Sequence, residues 1–173
     1  MAVVYQKIRD DIRDSGLSII AVGPSDEHPP FSYSVGLSGP FKAEVLLEGI
    51  PQDLSMYLIN TIAKAAKNAG IGLEPGIYLG LIQGQMPVAL IEADPAWRDK
   101  RSIMVNNILG HDYRLLQMLL PDKNGCFPWE EGYDVSMGKQ TVRRADGNTT
   151  TFVDACKTLP VIDLHKALGQ LKH

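Results

Sequence analysis

Ser34 stands in the run Phe31-Ser32-Tyr33-Ser34-Val35-Gly36, and a hydroxyl followed two positions later by glycine is half of a nucleophile elbow. The other half is a glycine two positions before the serine, where this chain has Ser32. Strand alternation offers a second reading, with Ser32 and Ser34 on one face and Phe31, Tyr33 and Val35 on the other. The serine face then lines a polar pocket or packs. The continuation Gly36-Leu37-Ser38-Gly39 is glycine-bearing but is neither a P-loop nor a dinucleotide fingerprint.

A second constellation gathers Asp122, Glu130, Glu131 and Asp134 around Phe127-Pro128-Trp129. Oxygen-rich loops hold hard cations, and paired carboxylates can divide acid and base roles. Asp122-Lys123-Asn124-Gly125 is equally a turn in which the aspartate accepts from its own backbone, with Phe127 and Trp129 pinning the loop. Gln117 lies in the otherwise apolar stretch Tyr113 to Leu120. A buried amide costs about 1 to 3 kcal/mol without a partner, so Gln117 must bond a neighbouring backbone group, the favoured reading, or a ligand. His28, between Asp26-Glu27 and Pro29-Pro30, has no second histidine at ligand spacing, and His111-Asp112 reads as a loop cap. Arg143-Arg144 with Lys139, Lys157, Lys166 and Lys172 makes the C-terminal third mildly basic, a solvated face or a contact for phosphate or an acidic partner.

These residues must be positioned by elements that the patterning defines. Val4, Ile8 and Ile12 predict an amphipathic helix from Val3 to Ser15, closed by Gly16. Leu17 to Val22, Phe31 to Leu37 and Glu44 to Gly49 read as strands separated by glycine and proline loops. Pro51 and Asp53 open a second helix whose stripe Leu54, Leu58, Ile62, Ala65, Ala66 and Ala69 runs to Gly70. Ile77 to Ile82 and Met86 to Ala93 form a hairpin around Gln83-Gly84-Gln85. Asp94-Pro95 starts a helix reaching Leu109. Tyr113 to Leu120 is a strand buried on both faces, and Gln140 to Arg144 pairs with Asn148 to Val153 across Asp146-Gly147. Asp163, Leu164, Ala167, Leu168 and Leu171 mark a terminal helix. Because strands and helices do not alternate, the fold class is α+β: a single domain over 1–173, with a mixed or mainly antiparallel sheet, barrel-like in one version, and about four flanking helices.

Composition narrows the function classes. Of 173 residues 45% are hydrophobic and 21% charged, which disfavours disorder and fibrous repeats. The 17 basic against 20 acidic residues argue against a protein built to hold nucleic acid. Two cysteines without C-x-x-C spacing exclude a disulfide scaffold and point to the cytoplasm. Charges from Lys7 to Asp14 leave no apolar core for a secretory signal, and the stretch Pro75 to Ile91 is too short and polar to cross a membrane.

Three segments together resemble the bacterial and phage family known as domain of unknown function 4262. Pro30-Phe31-Ser32-Tyr33-Ser34-Val35-Gly36-Leu37 is similar to its "F-x-Y-[ST]-[IV]-G-L" signature, and Ala43-Glu44-Val45-Leu46-Leu47-Glu48-Gly49-Ile50-Pro51 to "P-E-L-x-x-x-G-L". The stretch from Leu116-Gln117 through Pro121-Asp122 to Phe127-Pro128-Trp129-Glu130 resembles "L-Q-x-x-W-P-D-x-x-G-x-F-P-W". The likeness spans Gly16 to Gln140; Ala43 replaces the family's proline and Leu120 its tryptophan. It implies a small cytoplasmic protein and no established reaction.

The residues therefore support a binding or regulatory protein, with Tyr33, Ser34, Gly36, Gln117, Asp122, Trp129 and Glu130 as candidate contacts to a ligand or partner. No metal set and no complete catalytic set is visible, and the cofactor stays unknown. The partner, protein or small molecule, and homo-oligomerisation are left open. An enzyme using a nucleotide or flavin on a barrel-like sheet is the alternative, and a metal-dependent hydrolase a more distant one.

Overall fold

The computed structural model describes residues 1–82, 86–143 and 156–169. Its strands form one mixed sheet of seven, ordered β1 (Ser18–Val22), β2 (Phe31–Val35), β3 (Glu44–Glu48), β6 (Leu115–Leu119), β5 (Val88–Glu92), β4 (Gly76–Leu79) and β7 (Val161–Asp163). The pairs β3·β6 and β4·β7 are parallel and the others antiparallel. The order runs from edge to edge without closure, so the sheet is open rather than a barrel.

Every residue of β2, β3 and β6 is buried, as befits central strands covered on both faces. Along β6 the alternation is clean: Leu116 and Met118 enter a core with Leu58, Ile59 and Ile62, whereas Leu115 and Leu119 enter clusters on the opposite side. The first core lies under α3 (Gln52–Ala69), where Ala65 and Ala66 let the helix approach the sheet and Gly70 in the left-handed conformation ends it. Each fully buried Leu or Ile there contributes roughly 1.5 to 3 kcal/mol. On the second face α1 (Ala2–Ser15), α4 (Pro95–Arg101) and α5 (Ile103–Leu109) bring Ile8, Trp97 and Val105 against Phe31, Tyr33, Leu46 and Leu115.

Three details depart from the patterning. The helix expected from Asp94 to Leu109 breaks at Ser102, whose hydroxyl donates to the Arg98 carbonyl at 2.6 Å and lies 2.7 Å from the Tyr113 hydroxyl. A short helix, α2 (Ser38–Phe41), and the strand β7 carry too few residues to show a period. With α6 (His165–Gly169) the described residues hold six helices rather than about four. Of the second expected hairpin, residues 140–143 cross the sheet without strand pairing, while Arg144, the Asp146-Gly147 turn and Asn148 to Val153 lie outside the described residues, as do the Gln83-Gly84-Gln85 turn and Leu171.

Candidate functional site

Ser34 and Gly36 converge on Glu44, the first residue of β3. One carboxylate oxygen accepts from the Gly36 and Ser38 amides at 3.0 and 2.8 Å, and the other from the Ser34 hydroxyl and the Leu37 amide at 2.5 and 3.2 Å. Ser34 Oγ in turn accepts from the Val45 amide at 2.9 Å. Glu44 is fully buried, and these four donors replace the water it gives up. Gly36 is left-handed, and a side chain there would press on Ile12 and the Gly16 carbonyl. The turn after β2 is thereby locked to β3 and to the end of α1.

Tyr33 points to the other face of β2. Its ring stacks on Phe31 with centroids 6.1 Å apart, and its hydroxyl accepts from the Met104 amide at 3.3 Å. Burial pushes its pKa up to about 12.

Gln117 holds segment 140–143 across this second face. Its amide nitrogen donates to the Thr141 carbonyl at 2.8 Å, and its oxygen accepts from the Arg143 amide at 2.9 Å. Gln140 does the same in reverse, accepting from the Leu120 amide at 2.9 Å and donating to the Leu120 carbonyl and the Tyr133 hydroxyl, each at 2.8 Å. Just upstream, left-handed Gly138 and Gly49 bring two backbones so close that a Cβ on either would overlap the other strand of chain.

In the acidic loop Asp122 is buried, and its carboxylate accepts from the amides of Asp134, Cys126 and Asn124 at 2.8 to 2.9 Å. Those amides, that of Asp134 foremost, hold its pKa below the usual carboxylate range. Glu130 accepts from the Phe127 amide at 2.6 Å, and the Phe127 and Trp129 rings stack 4.5 Å apart over the sheet. Lys123 pairs with Asp134 at 3.2 Å. No cluster of metal-ligating side chains occurs among the described residues.

A different cluster lies where β2, β3, α4 and segment 140–143 meet. Glu48 is buried at the end of β3, with Oε1 3.4 Å from Arg101 Nε and Oε2 3.4 Å from Arg143 Nε. The Arg101 guanidinium lies 5.4 Å from the centre of the Phe31 ring, and that of Arg143 5.8 Å from Trp97. His28 meets Phe31 edge-on at 5.0 Å. Glu48 Oε1, Arg101 Nε and Trp97 Nε1 are buried without a hydrogen bond among the described residues. The arginine side chains are 17% and 33% exposed, so this partly dry site opens to solvent on their side. Two cations and one anion give it a net charge of about +1.

The structure thus puts Tyr33 beside this cluster, has Gln117 support it by fixing Arg143, and commits the Ser34 hydroxyl to the Glu44 carboxylate and the Val45 amide, Asp122 to three amides and one Glu130 oxygen to the Phe127 amide. Glu48, Arg101 and Trp97 were not singled out from the sequence. Two signals were available: Glu44 and Glu48 share one face of an otherwise apolar strand, and Trp97 and Arg101 share one face of a helix.

No curated protein and no solved structure matches the chain. Residues 11–134 match one protein family, and the locks at Glu44 and Asp122 and the Glu48 carboxylate all fall within that stretch. The chain belongs to that family, described as a domain of unknown function, DUF4262.

Proposed function

We propose that this is a cytoplasmic binding protein, and that its ligand is a small oxyanion, carboxylate or phosphate, held between Arg101 and Arg143. The observation that carries the reading is that Glu48 Oε1, Arg101 Nε and Trp97 Nε1 are buried without a hydrogen bond among the described residues, beside two partly exposed arginine side chains. Guanidinium forks pair with planar or tetrahedral oxyanions through two parallel bonds, and an indole N–H adds a neutral donor. Glu48 is a resident counter-charge that holds the forks in place while the site is empty. Phe31 and Trp97 are 5% and 8% exposed, so their faces buttress the arginines and are not open to a base or a flavin ring, which supports the smaller ligand.

Thermal unfolding and calorimetric titration of the full chain with inorganic phosphate, and separately with succinate, test this. At low ionic strength at least one anion is expected to raise Tm saturably by mass action. Arg101→Met and Arg143→Met each weaken binding tenfold or more. Glu48→Gln lowers the Tm of the free protein, by roughly 2 kcal/mol of stability, yet binds the anion more tightly because the competing carboxylate is gone. The reading fails if both anions act no differently from chloride, or if Arg101→Met binds like the parent.

A further inference from the structure

On the α3 side of the sheet, away from the arginine cluster, an open cleft of about 700 Å³ lies between the α1–β1 turn, α2 and α3. That volume is within the range of sites for small organic ligands. Its walls are apolar: Leu17 and Phe41 are only partly buried against the main core, and Pro40 and Ala63 continue the surface. At its rim Lys64 and Lys67 project from α3, both exposed. They stand three apart, which places their side chains side by side on one helix face.

The surrounding acids are engaged elsewhere. Asp10 and Asp14 pair with Arg13, Asp11 with Lys7, and Glu74 with Arg114 and Lys42. Neither Lys64 nor Lys67 has an acidic partner among the described residues, so the cleft combines an apolar trough with an unmatched pair of positive charges. It is also preformed. The Leu73 amide donates to the Phe41 carbonyl at 2.7 Å, and Lys42, left-handed at φ 70°, closes α2 with its stem packed on Gly72. Gly36 fits tightly against Ile12 and Gly16 and fixes the opposite wall. A ligand entering a rigid trough does not have to order it.

We infer that this cleft binds an amphipathic carboxylate of the fatty-acid type, its alkyl chain along Leu17, Pro40, Phe41 and Ala63 and its head group between Lys64 and Lys67. Charge complementarity selects the anionic head, and the trough selects a single chain rather than a flat surface.

The test is calorimetric titration of the full chain with dodecanoate below its micelle threshold, beside dodecanol and beside vesicles of anionic phospholipid. Saturable binding of monomeric dodecanoate at one site per chain is expected, with dodecanol weaker. The double variant Lys64→Ala/Lys67→Ala lowers dodecanoate affinity about tenfold, as two exposed ion pairs allow, and leaves dodecanol unchanged. Asn60→Trp, an exposed position at the cleft, blocks both ligands while circular dichroism and Tm report an intact fold. Absence of binding to the parent chain overturns the inference. So does a double variant that binds dodecanoate like the parent, and so does binding confined to vesicles, which would make the lysines a membrane contact.

Discussion

Glu44 and Glu48 occupy the two ends of one strand, on the same face, and both are essentially unexposed. Their surroundings differ in kind. Glu44 accepts four hydrogen bonds of 2.5 to 3.2 Å, three of them from backbone amides that a lock requires. Glu48 faces two guanidiniums at 3.4 Å and retains an oxygen without a hydrogen bond among the described residues. Burial alone therefore does not separate a carboxylate committed to the fold from one with valences to spare; saturation does. A group whose valences are all filled by its own chain has nothing left for a ligand, whereas one paired with partly exposed arginine side chains keeps capacity for another partner.

The comparison is broken most directly by removing each acid in turn. Glu44→Ala strands four donors, two of them buried and two part-buried, so its cost is the largest, about 4 kcal/mol in denaturant unfolding, and no anion restores it. If phosphate rescued that variant as it is expected to rescue Glu48→Gln, the distinction would collapse. Asp122 extends the series as a third buried acid, saturated by amides in the manner of Glu44. Asp122→Asn, which puts a donor toward one of those amides, costs less than the Glu44 change but still lowers Tm by several degrees at neutral pH. Since the folded-state pKa of Asp122 is depressed, its contribution is present above the ordinary carboxylate range and lost as pH falls through it, so parent and variant converge in acid. The smallest effect belongs to Tyr33→Phe, about 1 kcal/mol for the lost acceptor of the Met104 amide. The raised pKa of Tyr33 acts in the opposite direction of pH: its stabilisation is complete below pH 10 and disappears toward about 12. The parent therefore loses stability relative to Tyr33→Phe across that alkaline window.

The central strands, α1 and α3 were legible because their apolar spacing, glycine caps and proline starts are local signals. The break at Ser102 was not, because no local signal marks it; the Ser102 hydroxyl lies beside that of Tyr113, eleven residues away. Gln117 shows where the boundary falls. Its amide in an apolar strand announced that a partner must exist, but the partner is a stretch of chain more than twenty residues later that no periodicity describes. The Glu48 site was hidden for the same reason. Its arginines come from α4 and from segment 140–143, and only the sheet brings them together. Conversely, Ser34, Gly36 and Asp122, which drew attention as chemistry, carry contacts that hold turns and loops, as does Glu44.

The crossing of Gly49 and Gly138 also bears on how the chain folds in time. These residues are about ninety positions apart and touch through bare backbone, so no side-chain attraction draws them together early. Closing so long a loop costs entropy before the glutamine amides on either side repay any of it. The pairs β1·β2, β2·β3 and β4·β5 close much shorter loops and are expected to form first, with Arg143 reaching Glu48 only as that crossing closes. Recovery of the Glu48–Arg143 contact in refolding is therefore expected to lag behind recovery of secondary structure, which stopped-flow circular dichroism beside a probe at Trp97 would measure.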